Sequence, residues 1–230
     1  MKQGEKGRTR RRVWFFDLDD TLHDASHAMF AAIDTRMTGF VERHLGLARE
    51  AADRLRQQYW RRYGATMLGL MRHHNVDPHH FLRETHDFEV AQLLRIERGL
   101  ACMVGRLPGR KVLMTNAPGA YARQVLRGAG LHRHIRVQYS IERLRLHGRF
   151  RPKPSIAMFR AVLAREGMAG RSNSRHAVLV DDSPANLKAA RAAGFSTVLR
   201  VGPGVVRPLS GSAYIDARVR TVRQLARRLS

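Results

Sequence analysis

Val13-Trp14-Phe15-Phe16-Asp17-Leu18-Asp19-Asp20-Thr21-Leu22 is the stretch that decides the fold. Val13 to Leu18 is a run of β-forming apolar residues broken only by Asp17, which predicts a short strand buried on both faces that ends in carboxylates. In extended geometry alternate side chains share a side, so Asp17 and Asp19 point the same way. One is then placed as a nucleophile and the other to protonate a leaving oxygen and later deprotonate water, the division of labour in transfer through an aspartyl-phosphate. An acidic loop or helix cap would use the same residue types.

Working outward, helix-period segments fill the chain from Ser26 to about Leu100, notably Ala28 to Leu45, Ala48 to Tyr63 and Phe88 to Val104. β character returns at Lys111 to Thr115, Arg136 to Tyr139, Ala177 to Val180 and Ser196 to Val201. Tyr121 to Ala129, Ser155 to Glu166 and Pro184 to Ala193 read as the helices between these strands, and Val219 to Leu229 as a basic terminal helix. Alternating strands and helices predict an α/β fold with a parallel sheet flanked by helices. The expected organisation is a basic arm over 1–12, a core formed by 13–24 and 101–230, and a helical insert over 25–100 after the first strand.

Three more segments fall at the carboxyl ends of expected strands, where open α/β sheets place ligands. Val112-Leu113-Met114-Thr115-Asn116 ends in a hydroxyl and an amide able to bond phosphate oxygens, or to cap a helix before Pro118. Arg151-Pro152-Lys153-Pro154 holds a lysine between two prolines, which restrict the backbone that aims its ammonium; a stiff basic loop would look the same. Val178-Leu179-Val180-Asp181-Asp182-Ser183 supplies a second acidic pair. Magnesium takes hard oxygen ligands, and adjacent carboxylates at a strand end ask for a cation, so Asp17 and Asp182 are the expected direct ligands, with the backbone carbonyl of Asp19 also available.

These four segments, in this order, resemble the haloacid dehalogenase superfamily of aspartate-nucleophile hydrolases. The resemblance covers the chain after the basic arm, because the helical insert is similar to the family's cap of the type inserted after the first strand. It implies a Rossmann-like core, Asp17 as nucleophile, Asp19 as general acid/base, Thr115, Asn116 and Lys153 at the phosphate, and Asp17, Asp19, Asp181 and Asp182 at a Mg2+ site. Asp19 further implies a phosphatase, since dehalogenases have no alkoxide to protonate. Tyr63-Gly64-Ala65-Thr66-Met67-Leu68-Gly69-Leu70, Asp77-Pro78, His86-Asp87 and Leu22-His23-Asp24-Ala25-Ser26 are similar to segments of pyrimidine 5′-nucleotidases. That likeness points to a pyrimidine nucleoside 5′-monophosphate as substrate and to Tyr63 and Thr66 as cap residues near it; helix packing around Gly64 and Gly69 explains the same segment. Family members commonly carry an aromatic residue at the place of His23 and Asn at that of Asp20. A sugar phosphate or other small phosphate is the alternative substrate.

Composition bounds the rest. Forty-two Lys and Arg against 19 Asp and Glu leave a net charge of +23, a surface that attracts polyanions. Much of the excess is Arg scattered through amphipathic segments, so a nucleic-acid partner is the less favoured expectation. A single cysteine, Cys102, excludes an internal disulfide; it is expected in a buried helical stretch. No apolar run approaches a membrane span, and a cytoplasmic location is expected. His73-His74 and His79-His80 are adjacent pairs whose rings diverge on a helix, which argues against a metal site.

Overall fold

The computed structural model describes residues 12–170, 174–202 and 212–228. Apart from Arg12, the basic arm expected over 1–12 lies outside the described residues, as does Leu229.

Six parallel strands form the main sheet: β1 (Val13–Phe16), β2 (Arg110–Met114), β3 (Ile135–Tyr139), β6 (Ala177–Asp181), β7 (Ser196–Arg200) and β8 (Ala217–Val219). Their spatial order is β3-β2-β1-β6-β7-β8. A two-stranded antiparallel ribbon, β4 (Arg145–Leu146) with β5 (Arg149–Phe150), stands apart. Chain order runs outward from β1 in one direction through β2 and β3, and in the other from β6 to β8. The β1/β6 pair is therefore the topological switch point, where open α/β sheets leave a crevice beyond their carboxyl ends.

β1 is central and buried at every position, and its period of two serves two layers. Trp14 and Phe16 join Leu113, Val178, Val180 and helices α6 (Leu100–Arg106), α7 (Gly119–Gly128) and α10 (Arg223–Arg228) in one core. Val13 and Phe15 join Val112, Leu179 and helices α8 (Ile156–Arg165) and α9 (Pro184–Ala193) in the other. Each such aromatic contributes roughly 1.5–3 kcal/mol by leaving water. Register pairs Phe16 with Leu113 on one side and Val180 on the other, so Asp17 emerges level with the ends of β2 and β6.

Between β1 and α6 lie five helices: α1 (Met29–Leu45), α2 (Arg49–Tyr63), α3 (Thr66–His74), α4 (Pro78–Thr85) and α5 (Val90–Leu93). α1 to α4 share a core of Phe40, Val41, Tyr59, Leu70 and Phe81, into which Ile141 and Phe150 reach from the sheet side. None of the described helices is long and apolar enough to cross a membrane. Gly64 ends α2 at φ +79°, and Gly69 lets the Tyr59 ring lie against its backbone, because a Cβ there would sit 2.2 Å from Tyr59 Cγ. Gly69→Ala should therefore cost roughly 2–3 kcal/mol as overpacking, read as a lower midpoint in chemical denaturation.

Three local expectations are corrected. Phe88 to Val104 is two short helices: Gly99 takes φ +76° at the start of α6, and the segment before it is tied elsewhere, the carbonyl of Arg95 accepting from Asp24 N and the Glu97 carboxylate from Val222 N. Val219 belongs to β8, paired with Arg200, and α10 begins only at Arg223. Cys102 is exposed, since α6 turns Leu100 and Val104 inward and Cys102 to the other side.

Candidate active site

The ends of β1, β2 and β6 converge on Lys153. Its ammonium, 2 % of the residue being exposed, lies 2.8 Å from Asp17 Oδ1 and 2.8 Å from Asp181 Oδ2. The backbone of Lys153 is itself held by Asn116: its N–H donates to Asn116 Oδ1 (2.9 Å), and Asn116 Nδ2 donates to its carbonyl (3.0 Å). The Asn116 amide thus clasps the lysine loop to the end of β2. Thr115, 1 % exposed, accepts at Oγ1 from Ala117 N (3.0 Å), which leaves its hydroxyl hydrogen to give.

Asp181, the last residue of β6, and Asp182, which follows it, are in different situations. Asp181 is fully buried and saturated, taking Lys153, Ser183 N (2.9 Å) and both contacts of Asn186 Nδ2 (2.9 and 3.1 Å). Asp182 receives one weak side-chain bond, from Thr21 Oγ1 at 3.3 Å. Burial, and then the charge of Asp181, push the Asp182 carboxyl up to about 6. Burial likewise holds the Asp17 carboxyl well above the usual carboxylate range, with Lys153 opposing and Asp181 and Asp182 adding to the rise. Burial works against the Lys153 ammonium, but its two carboxylate neighbours outweigh it and keep the pKa above the ordinary lysine value.

Ligand atoms of Asp17, Asp181 and Asp182 lie within 4.8 Å of one another. Three crowded carboxylates with one lysine between them, two of them with raised pKa, form a donor set of the kind that suits a hard divalent cation. The Asp19 carboxylate is outside this cluster. Its Oδ1 receives Tyr121 OH at 2.8 Å and lies 2.9 Å from His23 Nε2.

A cavity of about 750 Å³ opens beside Asp182, lined among others by Thr21, His23, Arg95 and Arg200. Tyr63 and Thr66 do not line it. Tyr63 bonds His73 Nε2 at 2.6 Å and has the guanidinium groups of Arg62 and Arg72 5.5 and 5.9 Å from its ring centroid, while Thr66 is buried with its hydroxyl on the Arg56 carbonyl. The histidine pairs have ordinary partners: Tyr63 for His73, Tyr59 for His74, and the Asp77 carboxylate for the backbone N–H groups of His79 and His80. His23, Tyr121 and Asn186 had no role in the site assigned from the sequence. Asn186 sits in the first turn of a helix opened by Ser183-Pro184, a position that reads as capping, and Tyr121 lies 102 residues from the acid it bonds, with no local signal.

The folded pKa of Asp182 is raised, so the stability it leaves intact is full below the unfolded value near 4 and is lost as pH rises towards about 6. Asp182→Asn should stabilise the protein by on the order of 2 kcal/mol at pH 7.5 in a chelator, about 4–8 °C in melting temperature. By pH 4 the difference should close.

A family model described as haloacid dehalogenase-like hydrolase matches residues 12–194. Among solved structures the chain is similar to a HAD phosphatase from Thermococcus onnurineus, at TM-score 0.62 and 19% identity over 94% of this chain and 96% of that one. It is also similar to the HAD hydrolase YfnB from Bacillus subtilis, solved bound to magnesium, at TM-score 0.60 and 16% identity over 94% and 97%. A stretch of 67 residues is 31% identical to phosphate metabolism protein 8 of Saccharomyces cerevisiae, covering 29% of this chain and 21% of that protein's length. With the family model spanning residues 12–194, on a parallel sheet whose carboxyl ends bring Asp17 and Asp181 to the Lys153 ammonium, the protein belongs to the haloacid dehalogenase-like hydrolase family.

Proposed function

We propose that the protein hydrolyses phosphomonoesters through an aspartyl-phosphate on Asp17. The observation that carries this is the asymmetry of Asp17: Oδ1 takes both Lys153 Nζ (2.8 Å) and Leu18 N (2.7 Å), while Oδ2 accepts no hydrogen bond from the described residues. A carboxylate pinned at one oxygen presents the other as an oriented nucleophile.

In this reading Asp17 Oδ2 attacks phosphorus, the P–O bond to the substrate alcohol breaks, and the alcohol oxygen takes its proton from Asp19. Asp19 then removes a proton from water, whose oxygen attacks phosphorus and returns Asp17 as carboxylate with release of inorganic phosphate. Lys153 places positive charge against the transferring group and Thr115 offers its hydroxyl hydrogen. Asp17, Asp182 and the backbone carbonyl of Asp19 would hold magnesium, with Asp181 bracing Lys153 beside them. When bound, magnesium supplies charge neutralisation for the phosphoryl oxygens. The helices over 25–100 act as a cap that limits water, with Tyr63 and Thr66 shaping it at a remove from the cavity.

For the substrate we favour a pyrimidine nucleoside 5′-monophosphate, on the likeness of the cap segments to that group of enzymes. The test is phosphate release from a panel of nucleoside monophosphates and sugar phosphates, with magnesium or with chelator, for the wild type and Asp17→Asn. Magnesium-dependent release that prefers UMP or CMP and disappears in Asp17→Asn supports both parts. A sugar-phosphate preference removes the nucleotide, and release undiminished in Asp17→Asn removes the mechanism.

A further inference from the structure

Asp19 makes both of its side-chain hydrogen bonds through one oxygen. Tyr121 OH, on a residue 1 % exposed at the start of α7, donates to Oδ1 at 2.8 Å. His23 Nε2 lies 2.9 Å from the same atom, with its side chain fully buried. His23 Nδ1 is buried with no partner. A buried bare lone pair is tolerated more readily than a buried orphan N–H, so the imidazole hydrogen belongs on Nε2, pointing at Asp19. Oδ1 therefore receives two donors, and Oδ2 receives none from the described residues.

Chemistry follows from that count. The hydroxyl oxygen of a carboxylic acid is a poor acceptor, and the carbonyl oxygen is the good one. Two donors on Oδ1 make it the carbonyl oxygen whenever Asp19 is protonated, which assigns the acid hydrogen to Oδ2. We propose that Tyr121, together with His23, is a positioning residue that fixes the transferable proton of Asp19 on Oδ2. The inference rests on the reading of Asp19 as the general acid and says which groups aim it.

Tyr121 also touches the helical insertion. The rings of His86 and Phe88, on the segment joining α4 to α5, lie 5.3 and 6.1 Å from its own. Burial holds the His86 imidazole down to about 4, so it is neutral at physiological pH and sits against the Tyr121 ring as an uncharged aromatic. The orientation of the acid is thus set from three directions: β1's own loop through His23, core helix α7 through Tyr121, and the insertion through the rings that hold Tyr121 in place.

A tyrosine that merely fills space would, when cut to phenylalanine, slow all substrates alike. One that aims an acid matters in proportion to how much the leaving group needs a proton. The experiment compares kcat/KM, which reports steps up to formation of the aspartyl-phosphate, for an alkyl phosphomonoester and for 4-nitrophenyl phosphate, whose phenolate leaves without help. Tyr121→Phe is expected to lower the alkyl value at least about tenfold more than the aryl value, within the hundredfold or greater range of general acid catalysis. His23→Leu should do the same, and His23→Gln, which keeps an N–H donor, should recover the wild-type ratio. The histidine variants carry the test should Tyr121→Phe fail to melt cooperatively. Equal losses on both substrates, or none, overturn the proposal. Asp19→Asn in the same panel locates the failure: if it too shows no leaving-group selectivity, Asp19 is not the acid and both readings fall, whereas selectivity in Asp19→Asn alone sinks only the positioning role.

Discussion

Asp17→Asn should abolish phosphate release, by at least about 10⁴-fold in kcat, while leaving the protein folded and melting no lower than the wild type. The two halves of that expectation come from the same buried charges. One ammonium, that of Lys153, serves two carboxylates, Asp17 and Asp181, each 2.8 Å away. Burial raises the Asp17 pKa, so its ionised form is the less comfortable member of the set. Asparagine keeps the shape, can still accept from Leu18 N and Lys153, and leaves Lys153 and Asp181 as a balanced pair. The amide has no anionic oxygen to offer phosphorus, and the mechanism has no second nucleophile in place. Phosphate release and a thermal melt on the same preparation check both halves. Activity within tenfold of wild type would refute the aspartyl-phosphate mechanism, and a collapsed melt would refute the charge accounting.

How much of this was legible beforehand depends on whether the determinants are local. β1 announces itself because a centrally buried parallel strand is apolar on both faces, and Trp14/Phe16 and Val13/Phe15 do serve opposite cores. The alternation of strands and helices after residue 110 was equally plain. Failures occurred where tertiary partners overrule periodicity. Phe88 to Val104 reads as one amphipathic helix, yet Asp24 and Val222, distant in sequence, capture Arg95 and Glu97 and let Gly99 turn the chain. Val219 looks like a helix start and is an edge strand only because Arg200 lies beside it. The ribbon of β4 and β5 is too short to show a pattern.

In the site, residue types were legible and partnerships were not. The order of the four acidic, hydroxyl and lysine segments brought Asp17, Thr115, Lys153 and Asp181 to notice. Nothing local distinguishes Asp181 from Asp182, however. The difference is made by Asn186 and Lys153, which saturate the first and leave the second with Thr21. Asn116 seemed free to face a phosphate and instead spends both ends of its amide on the backbone of Lys153. His23 stands where the family commonly has an aromatic residue, and only the fold shows that its ring meets Asp19.

Lys153→Met is the substitution expected to damage stability most. Methionine fills similar volume and can pack in the same slot, so the loss isolates the charge. Without the ammonium, Asp17, Asp181 and Asp182 are left crowded in a buried site with ligand atoms within 4.8 Å of one another. Removing one partner of a buried ion pair costs about 3–5 kcal/mol, or roughly 6–20 °C in melting temperature for a chain of this size. Turnover should fall to the level of Asp17→Asn, since the attacking carboxylate loses its anchor and the transferring group its cation. The penalty has a sign in pH. Lys153 lowers the pKa of both Asp17 and Asp182, so its removal raises carboxyl groups that are already high. A raised carboxyl leaves stability intact below its unfolded value near 4 and withdraws it as pH climbs to the folded value. The gap between wild type and Lys153→Met should therefore be widest at pH 8 and narrow towards pH 5, measured in chelator so that no cation intervenes. Adding Asp181→Asn to Lys153→Met removes the most buried of the three charges and should return a large part of the melting temperature with none of the activity. If the double variant is no more stable than the single one, charge compensation is not what the lysine contributes.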